Sequence, residues 1–336
     1  AWRSRKAVDS VTQAALGAAI GGAIAPAGQR RKALLVGAAL GTLPDLDVLI
    51  DYGDAVANFT YHRGFSHSLF VLTPFVLLLW LALRRWWAPV REAPWRWLAI
   101  IGLALITHPL LDAHTAYGTQ LLWPLTVPPT MWATLFIIDP LFTLPLLAGV
   151  VIAAAWPARS WSGRVTRSCV LLSTLYLGWS WTAQSMVAHH ADEVLADRGL
   201  QGAPVFITPT PFNTLLWRIV VQTEEGYLEG FDSLLVDAGR LDFTAYAFDR
   251  DLLETASDVW AVSRLRWFSR DFIKAGVADD RLLITDLRMG QEPIYVFTHV
   301  AAVRGNPHWE AIPTELIPVS IDERALLDAW KRMWTH

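Results

Sequence analysis

LFVLTPFVLLLWLAL, running from Leu69 to Leu83, carries no charged side chain from end to end. A helix of that composition has no polar face to offer water, so it reads as a bilayer span rather than an amphipathic core helix. The same texture returns downstream in Leu98 to Leu111, Leu135 to Ala155 and Cys169 to Met186. Upstream lie two less bulky apolar segments, the first rich in Ala and Gly. Small residues of that kind let helix backbones approach closely, so this segment is expected to pack tightly against its neighbours. The chain therefore reads as a polytopic α-helical membrane domain of about six spans, near 11–26, 33–50, 67–84, 97–113, 135–155 and 168–187. A single large soluble core is the competing reading. It is disfavoured because the apolar residues, 53% of the chain, are concentrated before about residue 190.

Loop charge predicts the orientation. Arg30, Arg31 and Lys32 separate the first two segments; Arg84, Arg85, Arg91 and Arg96 follow the third; Arg159, Arg164 and Arg167 follow the fifth. The intervening loops hold a single cation, Arg63. Positive residues stay in the cytoplasm, so the alternate loops and both termini are expected outside. Arg3, Arg5 and Lys6 at the start run against that assignment. Trp86, Trp87, Trp95, Trp97, Trp156 and Trp161 cluster at the proposed inner boundary, where an aromatic belt sits.

After Met186 charges become frequent. Short runs rich in β-branched and aromatic residues appear, at Trp217–Thr223, Phe243–Phe248, Trp260–Arg266 and Tyr295–Val303, with Gly226, Gly239, Gly290 and Gly305 among them. This predicts a small β-rich domain. A closing helix is expected from Asp322 to Trp334, capped by Ser320. Residues 1–190 are thus read as a transmembrane metal-site domain and 204–336 as an extracytoplasmic β-rich domain. A net charge of −3 does not suggest a nucleic-acid partner, and the single cysteine, Cys169, excludes an intrachain disulfide or a cysteine-rich metal knuckle.

On this topology the scattered ionisable residues come to one face. Asp45 and Asp47 lie near the outer end of the second segment, and His62 and His67 just before the third. His108 and Asp112 lie near the outer end of the fourth, one helical turn apart on the same face. Asp9, His114, Asp139, His189 and His190 fall on the same side. For Asp9 a helix cap is an equally good explanation, and for His189 and His190 an interfacial position is the simpler one. Carboxylates and imidazoles gathered at membrane depth need a neutraliser, and a divalent metal supplies one. Asp45, Asp47, His62, His67, His108 and Asp112 are the candidate ligands. Asp47 and Asp112 are alternative bases or orienting groups, and Arg63 is placed to meet a substrate phosphate. Ser66 and Ser68 lack a nucleophile-elbow pattern, and no His-Glu-x-x-His supports a metallopeptidase.

Asp9-Ser10-Val11-Thr12-Gln13, Pro44-Asp45-Leu46-Asp47, His62-Arg63-Gly64-Phe65-Ser66-His67-Ser68 and His108-Pro109-Leu110-Leu111-Asp112 together resemble the bacterial inner-membrane family of YbcI/YdjM-like metal-dependent hydrolases, over about residues 8–190. That group is in turn similar to zinc-dependent phospholipase C and the single-strand nucleases. The resemblance implies zinc held by His and Asp on helices. His108 and Asp112 would match the His-x-x-x-Asp helix motif, Asp45 or Asp47 the early aspartate, and His62 or His67 the following histidine. Some relatives carry a histidine where this chain has Gln13, an amide and a poor zinc ligand. One or two ions are therefore expected rather than three, zinc before manganese or iron.

The expected function is hydrolysis of a phosphoester in a membrane lipid or lipid-linked substrate at the outer face of a bacterial inner membrane. A protein partner is a further expectation for the C-terminal domain. A transporter using the same ionisable cluster, or a non-enzymatic scaffold, is the alternative.

Overall fold

The computed structural model describes residues 2–236, 241–319 and 331–334, with side chains from Val11 onward. The first part is helical: α1 (Trp2–Ile24), α2 (Arg30–Thr42), α3 (Ala55–Tyr61), α4 (Leu69–Trp86), α5 (Ala88–Glu92), α6 (Pro94–Ala113), α7 (Pro140–Ala155) and α8 (Ser160–Asp197). Short 3-10 turns at Pro44–Leu49 and Phe65–His67 lie between these helices.

Among the described residues, two helices are both long and apolar enough to cross a bilayer, α4 and α6; the expectation of six such helices is corrected. Helix length explains part of the difference. The second expected span stops at Thr42, and its 13 residues rise about 20 Å against a hydrocarbon core of roughly 30 Å. α7 is similarly short at 16 residues. α8 has the length, with 38 residues, but Ser162, Thr166, Ser173 and Ser180 line its buried face and dilute its apolarity. Of the two, α4 faces outward more: only Leu72, Val76 and Trp80 along it are buried, and Leu77, Leu78 and Leu81 are exposed.

The small residues of α1 serve close packing. A Cβ on Gly17 would lie 2.1 Å from the carbonyl oxygen of Gly37, and one on Gly21 the same distance from that of Ala33. On α2, Gly41 faces the Gln13 carbonyl at 2.5 Å by the same measure. The two backbones touch, which only glycine permits here.

The basic loops gather at one end. Arg30 donates to the carbonyls of Pro157 and Arg159, Arg31 to that of Ala154, and Gln29 to the Glu92 carboxylate. At this end the Trp97 indole, fully buried, donates to Gln29.

The opposite end carries the β-rich region. Two antiparallel sheets form, with orders β1-β2-β3-β4 and β10-β9-β6-β5. The first comprises β1 (Val205–Pro209), β2 (Leu216–Thr223), β3 (Gly226–Ser233) and β4 (Phe243–Ala247). The second comprises β5 (Ile273–Ala278), β6 (Arg281–Asp286), β9 (Thr298–Arg304) and β10 (Trp309–Leu316), while β7 (Gly290–Gln291) and β8 (Ile294–Tyr295) make a small hairpin. Two helices, α9 (Asp251–Thr255) and α10 (Trp260–Ser269), precede the second sheet. The strand expected over Trp260–Arg266 is therefore a helix. Ala261, Val262, Leu265 and Phe268 are all buried, and their spacing is helical rather than alternating. Gly239, Ser320 and most of the expected closing helix lie outside the described residues.

Both sheets lean on the helical part. Ala183, Val187, Ala191 and Leu195 of α8 share a core with Trp217, Ile219 and Val221 of β2. Val56 and Phe59 of α3 enter the core formed by α10 and the second sheet. The Val56 amide donates to Thr314 of β10. The β-rich region thus covers the end of the bundle opposite the arginines.

Candidate metal centre

α2 ends at Thr42, and Pro44 starts the turn that carries Asp45 and Asp47. An extended strand would aim both carboxylates the same way. The 3-10 turn separates them, so they reach opposite nitrogens of the His67 ring, Asp45 near Nε2 and Asp47 near Nδ1. Asp45 faces α6. Asp47 faces the segment before α4.

Asp45, His67, His108 and Asp112 converge, with one donor atom from each lying within 4.8 Å of all the others. His67 Nε2 is 3.0 Å from His108 Nε2, 3.0 Å from Asp112 Oδ2 and 3.4 Å from Asp45 Oδ1. His108 Nε2 is 3.3 Å from each of the same two oxygens. Four donors at about 2.0 Å from a tetrahedral zinc stand about 3.3 Å apart, so these spacings fit such an ion. His67, His108 and Asp112 are buried, and Asp45 keeps partial exposure.

The hydrogen-bond network assigns the tautomers. His108 Nδ1 lies 2.6 Å from the Gly41 carbonyl, which only accepts, so Nδ1 carries the proton and Nε2 a lone pair. Ser66 Oγ donates to Asp47 Oδ2 at 2.7 Å, leaving it to accept from His67 Nδ1 at 2.9 Å. His67 Nε2 then also presents a lone pair. Asp112 Oδ2 is buried with no hydrogen-bond partner among the described residues. Two imidazole lone pairs and two carboxylate oxygens face one point, a donor set that calls for a cation.

Supporting groups surround this set. Gln13 of α1 donates to Asp112 Oδ1 at 3.0 Å and to the His108 carbonyl at 3.2 Å. Arg63 Nη2 lies 3.2 Å from Asp112 Oδ1, and Nη1 donates to Thr115. Arg63 is buried, and its guanidinium also lies over the Tyr117 ring. These contacts hold Asp112 by one oxygen and leave the other to the centre. Asp47 accepts from His62 Nδ1 at 2.8 Å, from the Arg63 amide at 3.0 Å and from Ser66. Burial raises the pKa of Asp47, but the His62 hydrogen bond and charge, with those of His67 and Ser66, outweigh it and hold the carboxyl below its usual range.

Asp47, His62 and Arg63 therefore stand beside the four converging donors rather than among them. The other ionisable residues lie elsewhere. His114 packs on Trp132 and Trp181, Asp139 caps α7, His189 pairs with Glu193, and His190 pairs with Asp232. The side chain of Asp9 lies outside the described residues. Sequence reasoning weighed Ser66 only as a nucleophile and missed its link between Asp47 and His67. No spacing rule marks such a bridge.

The profile of YdjM inner membrane protein matches residues 8–187. The chain belongs to the YdjM family. All four converging residues lie inside the matched region, and the β-rich region lies beyond it. The chain is 38% identical over 94 residues to Inner membrane protein YbcI of Escherichia coli (strain K12), covering 27% of this chain and 53% of that protein. It is 26% identical over 196 residues to Uncharacterized protein YfhP of Bacillus subtilis (strain 168), covering 56% of this chain and 54% of that protein. The chain thus spans about half the length of the curated relatives it matches. No solved structure matches it. YdjM-family membership assigns the chain to the inner membrane, in keeping with α4 and α6.

Proposed function

We propose that this chain is a metal-dependent hydrolase that cleaves a phosphoester in a membrane lipid or lipid-linked substrate. The observation that carries the reading is the convergence of Asp45, His67, His108 and Asp112, with Asp112 Oδ2 buried and without a hydrogen-bond partner among the described residues. These four would hold a divalent ion, with zinc preferred for its match to two imidazoles and two carboxylates, and manganese or iron as alternatives. When bound, such an ion supplies Lewis acidity that activates water and polarises a phosphoryl oxygen. The remaining roles belong to the chain. Ser66 and Asp47 fix the His67 ring, the Gly41 carbonyl fixes His108, and Gln13 with Arg63 fixes Asp112. Asp47 also holds the Nδ1 proton of His62. A second ion would have to compete for Asp47 and His62, which already bind one another, so one ion is the favoured count. The likeness of this donor set to that of zinc-dependent phospholipase C is part of the proposal.

The same reading places the centre and the β-rich region on the periplasmic side, because the arginine loops gather at the other end of the bundle. Asp280 is exposed, so a D280C variant in a Cys169→Ser background should react with an impermeant thiol reagent in intact spheroplasts. Labelling only after lysis would reject this orientation.

Elemental analysis tests the centre itself. Wild type purified without chelator, with metals supplied, is expected to carry about one ion per chain. Replacing His108 with Ala should abolish it while the protein remains in the membrane. Wild type without stoichiometric metal would remove the basis of the hydrolase reading.

A further inference from the structure

The turn Pro44–Leu49 and the residues that follow it set apolar and polar side chains side by side. Of the four converging residues, Asp45 is the one whose side chain keeps partial exposure, so the centre opens at this turn. Leu46, Leu49 and Ile50 beside it are 53%, 79% and 43% exposed. Their depth follows from α6. Asp45 Oδ1 lies 3.3 Å from His108 Nε2, and at about 1.5 Å per residue His108 sits about 8 Å before the end of this spanning helix. Where α6 crosses a bilayer, apolar side chains exposed beside Asp45 would meet lipid. Leu49 and Ile50 also line a cleft together with Asp47, Asp51, Tyr52, Asn58 and His62. The Tyr52 hydroxyl there is buried and has no hydrogen-bond partner among the described residues.

We propose that this turn is the lip of a lateral port, at which Leu46, Leu49 and Ile50 seat the alkyl chain of an amphiphilic phosphoester while the Tyr52 hydroxyl donates to its polar head. The assignment rests on the hydrolase reading and adds the residues that recognise the substrate. Exposed Leu49 and Ile50 in the wall of a cleft that also holds polar groups match a molecule with a chain at one end and an ester at the other. The Tyr52 hydroxyl, with no partner among the described residues, is a donor available to an acceptor from outside.

The test uses the zinc-loaded full chain in lipid nanodiscs and two probes, 4-nitrophenyl hexadecyl phosphate and bis(4-nitrophenyl) phosphate. Leu49→Ser is expected to raise KM about tenfold for the hexadecyl ester, as for loss of an apolar pocket contact, and to leave the chainless ester unchanged. Tyr52→Phe removes a hydroxyl without breaking an internal bond, so thermal stability should hold while KM rises roughly fivefold for both esters. Bound zinc should be unchanged in both variants. Equal losses on the two esters in Leu49→Ser, no loss at all, or preference of wild type for the chainless ester would each overturn the port while leaving the hydrolase reading standing. Wild type that carries its zinc and cleaves neither ester would overturn both.

Discussion

Ser66 shows how much a short polar side chain contributes when it links two larger groups. It donates to Asp47 and accepts from His67, so the tautomer and rotation of a metal-facing imidazole depend on one hydroxyl. Replacing Ser66 with Ala should weaken divalent-metal affinity by about tenfold to a hundredfold, the range for groups that orient a ligand rather than bind the ion. Gln13→Ala should fall in the same range, since Gln13 grips Asp112 Oδ1. Loss of His108 should be far more severe. Competition with a chromophoric chelator measures all three. If Ser66→Ala binds the metal as tightly as wild type, the bridge does not position His67.

Between α1 and α2 the constraint is space. Gly17 and Gly37 face each other so closely that neither tolerates a Cβ without backbone movement. The pair matters to the centre because α1 carries Gln13 and α2 runs directly into the turn bearing Asp45. Gly37→Val should separate the two helices and cost more than the 1–3 kcal/mol or so typical of overpacking, because backbone rather than a flexible side chain is in the way. Bound metal should fall with stability, although the substitution touches no converging residue. Gly28 meets nothing within 4 Å of an added Cβ, so Gly28→Ala is the control and should leave both quantities intact. Normal metal content and thermal stability in Gly37→Val would show that the contact is not needed.

The β-rich region is joined to the bundle through α3, and the junction contains a buried histidine. His299 of β9 packs against the rings of Phe59 and Phe297. Burial pushes its pKa down to about 4, with Asp286 and Asp54 acting in the opposite sense. The folded form therefore resists a proton that the unfolded chain accepts near pH 6.5. Stability should be unaffected at pH 7 and above, and should fall as the pH drops from about 6.5 to about 4, by up to about 3 kcal/mol. Thermal unfolding of the full chain in detergent across that window measures the loss. His299→Gln cannot take up the proton and should flatten that part of the profile. An unchanged slope in His299→Gln would assign the acid sensitivity to other groups.

Much of this protein was legible along the chain. Long apolar windows marked α4 and α6, and β-branched and aromatic content marked β2 and β4, because those signals depend on local composition. His108 and Asp112 could be paired from sequence, since one helical turn fixes their spacing whatever the rest of the fold does. The basic loops marked one end of the bundle for the same reason: charge is visible without contacts. Other features depended on residues far apart in sequence. Asp45 and Asp47, two positions apart, reach opposite nitrogens of the His67 ring because Pro44 begins a 3-10 turn rather than continuing a span. Trp260–Arg266 has a strand-like composition but forms a helix because its apolar residues bury one face against α3 and the second sheet. Ser66, Gln13 and the Gly41 carbonyl gained their positions only when α1, α2 and α6 packed together. The sequence by itself determined which segments avoid water and which ionisable residues are unusual. Tertiary packing decided which four of those residues share a point in space, because their separations are set by helix contacts that no local pattern encodes.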